Sequence, residues 1–89
     1  MSKINKNKQQ NDMQIHIDNA YAIIASHLPS IYVSSVIEKL SKKGITGISS
    51  SMIRNVKNKT NLRHDVLLAL VEVAQENEKT ISDLKKLTT

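Results

Sequence analysis

The sequence predicts an all-α fold, a compact bundle of four to five helices. Three observations carry that prediction. Apolar residues recur at steps of three and four through most of the chain, with no sustained strand-like alternation. The one proline, Pro29, and the only two glycines, Gly44 and Gly47, fall between the apolar stretches rather than inside them. Phe and Trp are absent, so the core must be built from Ile, Leu, Val, Met and Ala, a set that suits helix-on-helix packing.

The chain has 89 residues, enough for one domain with a modest core. Residues 1–13 are polar and rich in Asn, Lys and Gln, which predicts a flexible basic arm, with the helical domain over 14–89. A first helix is expected over about 16–28, where Ile17, Tyr21, Ile24 and Leu28 form a stripe that Ala20 and Ile23 widen. Pro29 ends it, because the residue before a proline is pushed out of the helical region. A second helix is expected over about 30–43 on the stripe Val33, Val36, Ile37 and Leu40. Lys42 and Lys43 suit its last turn, and Gly44 can take the positive φ that stops it.

Residues 44–48 hold both glycines, which argues for a specified turn with Ile45 and Ile48 tucked beneath it. A third helix starts in the serine run 49–51, where Ser49 or Ser50 can cap it. Met52, Ile53 and Val56 are its apolar positions, and its other face is Ser50, Ser51, Arg54, Asn55, Lys57 and Asn58. A fourth helix is expected over about 62–78 on Val66, Leu67, Leu70, Val71 and Ala74, with Asn61 as its cap and Asp65 in its first turn. Thr80 or Ser82 is expected to restart a short fifth helix carrying Ile81, Leu84 and Leu87.

Net charge is +5, unevenly spread. From Lys39 to Arg63 there are seven bases and no acid, whereas from His64 onward five acids face three bases. Lys3, Lys6 and Lys8 add charge near the start. Such asymmetry points to a polyanionic partner. The opening residues lack an apolar run, so no secretory leader is expected, and no stretch is long enough to span a membrane. With no Cys, disulfides, thiolate metal sites and a Cys nucleophile are excluded, and a cytoplasmic location is expected. His16, His27 and His64 form no metal-ligand spacing, and no serine sits in a recognisable nucleophile motif. Neither an enzyme nor a cofactor is expected. Tyr21 and Tyr32 read as core or rim residues, and so few aromatics disfavour single-strand binding by stacking.

Residues 31–73 form the informative unit. Val36, Ile37 and Leu40, then Gly44, then Ile53 and Val56, followed by the exit Arg54-Asn55-Val56-Lys57-Asn58-Lys59 into Asp65-Val66-Leu67-Leu68-Ala69-Leu70, resemble the helix-turn-helix of the phage-repressor (Cro-like or XRE-like) family. The stretch from Gly44 to Ile53 is longer than that family's compact turn, which marks the resemblance as divergent. It implies a sequence-specific double-stranded DNA binder, a small transcriptional regulator of phage or mobile-element type, acting as a homodimer on a two-fold site.

Physical chemistry gives each residue a role in such a unit. Ser49, Ser50 and Ser51 are small enough to let a helix start approach base edges or a phosphate. Arg54 can bond guanine bidentately, and Asn55 or Asn58 adenine. Lys57 and Lys59 suit phosphate, and Lys42, Lys43 and Arg63 would clamp the backbone beside the groove. The fourth and fifth helices, with Leu84 and Leu87, are the expected dimer surface. The alternative is a small protein-interaction module, an inhibitor or adaptor that uses the same basic face against an acidic protein. RNA binding by shape and charge is a third reading without a recognisable module.

Overall fold

The stretches of three-four apolar spacing become four helices, α1 (Ser2–His27), α2 (Val33–Lys42), α3 (Ser50–Lys57) and α4 (His64–Thr88). This computed structural model describes the backbone of residues 2–88 and the side chains of residues 13–88, and no strand occurs among the described residues. α4 is the spine, burying Val66, Leu67, Ala69, Leu70, Val73 and Ala74 along its first turns. α1 lies along it, and α2 and α3 pack against α4 and against each other. Ile24, Val36, Leu40, Ile53 and Val56 close the core from those three helices. Full burial of side chains such as Leu40, Ile53 and Leu70 contributes about 1.5–3 kcal/mol each.

The joint between α2 and α3 is set by backbone chemistry. After Leu40, the N–H groups of Gly44 and Ile45 donate to the carbonyls of Ser41 and Leu40, both at 2.9 Å. This is the paired bonding of a Schellman stop, and it requires Gly44 at φ +79°. Gly47 takes the same φ of +79° and turns the chain again toward α3. Ile45 and Ile48 pack against the core from beneath this turn, as their spacing predicts.

Several boundaries differ from the sequence prediction. α4 runs unbroken through Thr80 and Ser82, so there is no separate fifth helix. No Gly or Pro interrupts 78–84, and Thr and Ser cost a continuing helix well under about 1 kcal/mol. Asn61 is not the cap of α4. Its N–H donates to the Asn55 carbonyl at 3.3 Å, and the first intrahelical bond of α4 goes to the Arg63 carbonyl, from the Leu67 N–H at 2.8 Å. Ile37 stays 40% exposed beside the buried Val36, while Ala69 and Val73 are buried instead of the half-buried Val71. α1 begins earlier than the predicted 16–28, at Ser2. The arm expected over 1–13 falls almost wholly on residues outside the described side chains.

Ion pairs tie the outer surfaces together. Lys39 pairs with Glu76 and Lys43 with Glu72, joining α2 to α4. At the end of α1, His27 Nε2 lies 2.6 Å from Glu78, and Asn77 donates to the His27 carbonyl at 2.8 Å. Exposed pairs of this kind contribute about 0–1 kcal/mol, so they orient the helices more than they hold them. Among the described residues, no helix is long and apolar enough to cross a membrane.

Candidate nucleic-acid interface

α3 is positioned by its two ends and its buried edge. Ser49 holds an extended backbone at φ −80° and ψ 158°, and its hydroxyl accepts the Met52 N–H at 3.1 Å. That is the side-chain cap the serine run predicts. Ile53 and Val56, three residues apart, are fully buried and fix the rotation of the helix. This rotation turns Ser51, Arg54 and Asn58 to solvent and leaves Ser50, Asn55 and Lys57 at the half-buried margins.

The far end of α3 closes with a second Schellman stop. The Lys59 N–H donates to the Val56 carbonyl at 3.1 Å and the Thr60 N–H to the Asn55 carbonyl at 2.8 Å. Here the left-handed residue is Lys59, at φ +66°, rather than a glycine. The exit folds back over two aromatic rings. Lys59 Nζ stands 5.0 Å from the centre of the Tyr21 ring, and Lys57 Nζ stands 5.5 Å from that of Tyr32. Tyr21 is itself anchored, since its hydroxyl donates to the Val56 carbonyl at 2.7 Å. Burial pushes the Tyr21 phenol above its ordinary pKa, so it stays a donor throughout the neutral range.

The cations of the acid-free window sort into two groups in space. Lys39 and Lys43 meet carboxylates of α4, and Lys42 lies 3.4 Å from Glu38 on its own helix. Arg63 grips Asp65 with two hydrogen bonds, of 3.2 and 2.8 Å. Burial pulls the Asp65 carboxyl upward, but the Arg63 hydrogen bond, the Val66 N–H and the guanidinium charge outweigh it and hold the pKa below the usual value. Arg54, Lys57 and Lys59 form the other group. Among the described residues no carboxylate pairs with any of them.

The sequence-derived set is therefore brought together only in part. Ser51, Arg54 and Asn58 share the outward face of α3, with Ser50, Asn55, Lys57 and Lys59 flanking it. Lys42, Lys43 and Arg63 sit on neighbouring elements with their charges matched by Glu38, Glu72 and Asp65. Beside Arg54 an open groove of about 470 Å³ runs toward the start of α2, lined by Ser30, Ser34 and Ser50 and by the apolar Ile31, Val33 and Ile37. No group of three or more His, Cys, Asp or Glu suited to a metal ion occurs among the described residues. Sequence reasoning missed Tyr21 and Tyr32 as partners of the two lysines. The one available signal was the scarcity of aromatics.

Comparison with protein-family models, with curated proteins and with solved structures finds no match for this chain.

Proposed function

We propose that this chain is a sequence-specific double-stranded DNA-binding domain, a small transcriptional regulator of phage or mobile-element type, with α2 and α3 acting as its helix-turn-helix. One observation carries the reading. Of the seven bases between Lys39 and Arg63, the only ones without a carboxylate partner among the described residues are Arg54, Lys57 and Lys59, on α3 and its exit. Unpaired positive charge on a short outward-facing helix with a serine start is what a major-groove reader requires. In this role Arg54 reads guanine, and Asn58, with Asn55 beside it, reads adenine. Lys57 and Lys59 contact phosphates. One short helix reads few base pairs, so the proposal includes a homodimer on a two-fold site.

The test is titration of the protein against random duplex DNA by fluorescence anisotropy at several salt concentrations. A steep fall of log affinity with log salt is expected. Lys57→Ala should flatten that slope by about one unit on every sequence. Arg54→Ala should cost about 1–3 kcal/mol at the selected site and relax preference at one base pair. No binding at low salt would overturn the proposal.

The second reading, a module that binds an acidic protein, is favoured by one observation. Ile31 is 81% exposed and Ile37 40% exposed along the groove that Arg54 borders. An apolar groove ending in a guanidinium suits a peptide with an apolar anchor and a carboxylate. That reading gains if Arg54→Ala abolishes capture of such a peptide while duplex binding is absent in the wild type.

A further inference from the structure

The chain has two aromatic residues, and each carries one lysine of the α3 exit over its ring. An ammonium group can be held in place by a carboxylate or by a π-face, and the two differ in what they leave for a ligand. A carboxylate cancels the charge. A ring is neutral, so the lysine keeps its full charge and the ammonium protons that point away from the ring. The paired lysines of α2 are of the first kind, and Lys57 and Lys59 are of the second.

Both rings are rooted in fixed structure. Tyr32 occupies the N-cap position of α2 and packs against the core. Tyr21 also packs against the core, and its hydroxyl bonds the Val56 carbonyl, the same oxygen that accepts the Lys59 N–H. The ring under Lys59 is thus referenced directly to the α3 backbone. Asp18 is the one acid among the residues that line the groove shared by Tyr21, Lys59 and Thr60. Asp18 accepts a hydrogen bond from Gln14 at 2.9 Å and makes no ion pair with Lys59.

We infer that Tyr21 and Tyr32 are positioning residues that hold the Lys59 and Lys57 ammonium groups, still charged, at two fixed places beside α3 to receive two phosphates of a DNA backbone. This rests on the proposed DNA-binding reading. Its physical content is pre-organisation. A free lysine must be immobilised when it meets a phosphate, and a lysine already resting on a ring has lost much of that freedom before binding. Removing a ring should weaken binding without changing the number of phosphates neutralised. Removing a lysine should change both.

Tyr32→Leu, Tyr32→Phe, Tyr21→Phe and Lys57→Ala test this by two readouts. In the free protein, NMR should show the Lys57 and Lys59 ε-methylene protons shifted upfield by the rings. Tyr32→Leu should abolish the Lys57 shift, and both Phe variants should keep theirs. Against random duplex DNA, Tyr32→Leu should raise Kd roughly two- to tenfold with the salt slope unchanged. Tyr32→Phe should restore wild-type affinity. In a Lys57→Ala background, Tyr32→Leu should cause no further loss, a result that a merely structural tyrosine would not give. Additive losses in that background, or unchanged affinity once the upfield shift is gone, would overturn the inference while leaving DNA binding intact. Absence of duplex binding by the wild type would remove both.

Discussion

Lys59 is the residue at which backbone and charge pull in opposite directions. Its φ of +66° is one that glycine takes without penalty and that a residue with a Cβ takes at a cost of about 1 kcal/mol. The side chain is retained there although Gly stands at the equivalent stop of α2, Gly44. Lys59→Gly is therefore expected to raise the melting temperature by several degrees, in line with about 1 kcal/mol for a domain of this size. The same variant should weaken duplex binding and reduce the salt slope by about one unit. Thermal melting and a salt titration on one sample check both; a fall in both stability and affinity would mean that the Tyr21 contact outweighs the backbone strain. Asp65 gives a second prediction at this scale. Its folded pKa lies below the unfolded value, so its contribution is present above about pH 4 and is lost as pH falls through the folded pKa. Between neutral pH and strong acid, Asp65→Asn should lose less stability than the wild type, measured by melting against pH.

Individual helices were legible from their apolar stripes, because a buried edge leaves a three-four signature wherever one face meets a core. Ile24, Leu40, Ile53, Val56 and Leu70 were each named from that pattern and are each buried. Leu70 is fully buried on the spine helix, and Leu70→Ala should cost about 2–5 kcal/mol. An unchanged melting temperature would contradict the packing of α4. The glycine stop of α2 was legible for a similar reason, since few residues other than Gly accept its φ. A Cβ at Gly44 would meet nothing within 4 Å, so an alanine there costs only the backbone strain. What the sequence hid were features decided by neighbours in space. The unbroken α4 was obscured because Thr80 and Ser82 read as start signals, yet the stripe Leu70, Ala74, Asn77, Ile81, Leu84 continues in one period. The stop of α3 was legible as the turn formers Asn58-Lys59-Thr60-Asn61, but its left-handed residue was hidden because a lysine fills a position usually given to glycine. The exposure of Ile37 was hidden because periodicity names a stripe without saying how wide the covering surface is.

Across the whole molecule, the acid-free window of the sequence is not acid-free in space. Glu72 and Glu76 come from α4 to meet Lys43 and Lys39, and this neutralises the α2 side while leaving the α3 side charged. The candidate site was thus half visible. The sequence located the basic segment; the packing of α2 on α4 supplies the partners of Lys39 and Lys43, whereas Lys42 and Arg63 are matched by their near neighbours Glu38 and Asp65. The C-terminal part of α4 bears on the oligomeric state. α1 ends at His27 against Asn77 and Glu78, and beyond that point Ile81, Leu84 and Leu87 of α4 are 43%, 54% and 83% exposed. They continue the helix whose first turns the core covers, and Glu78, Lys79, Asp83 and Lys86 around them carry both signs, as a self-complementary surface needs. Their apolar area is on the order of a few hundred Å² per copy, below the roughly 800 Å² per partner of a stable interface. Pairing of two copies through this segment is accordingly expected to be weak in dilute solution and to tighten on a two-fold DNA site, where both copies are already held close. Leu84→Gln should leave the folding stability within about 0.5 kcal/mol of wild type, because the side chain is exposed in the monomer. It should leave affinity for a half-site unchanged and abolish the extra affinity of the two-fold site. Mass measurement with and without duplex checks the same point independently. A wild type that stays monomeric in both, at high micromolar concentration, would rule out the homodimer and leave each copy to read its site alone.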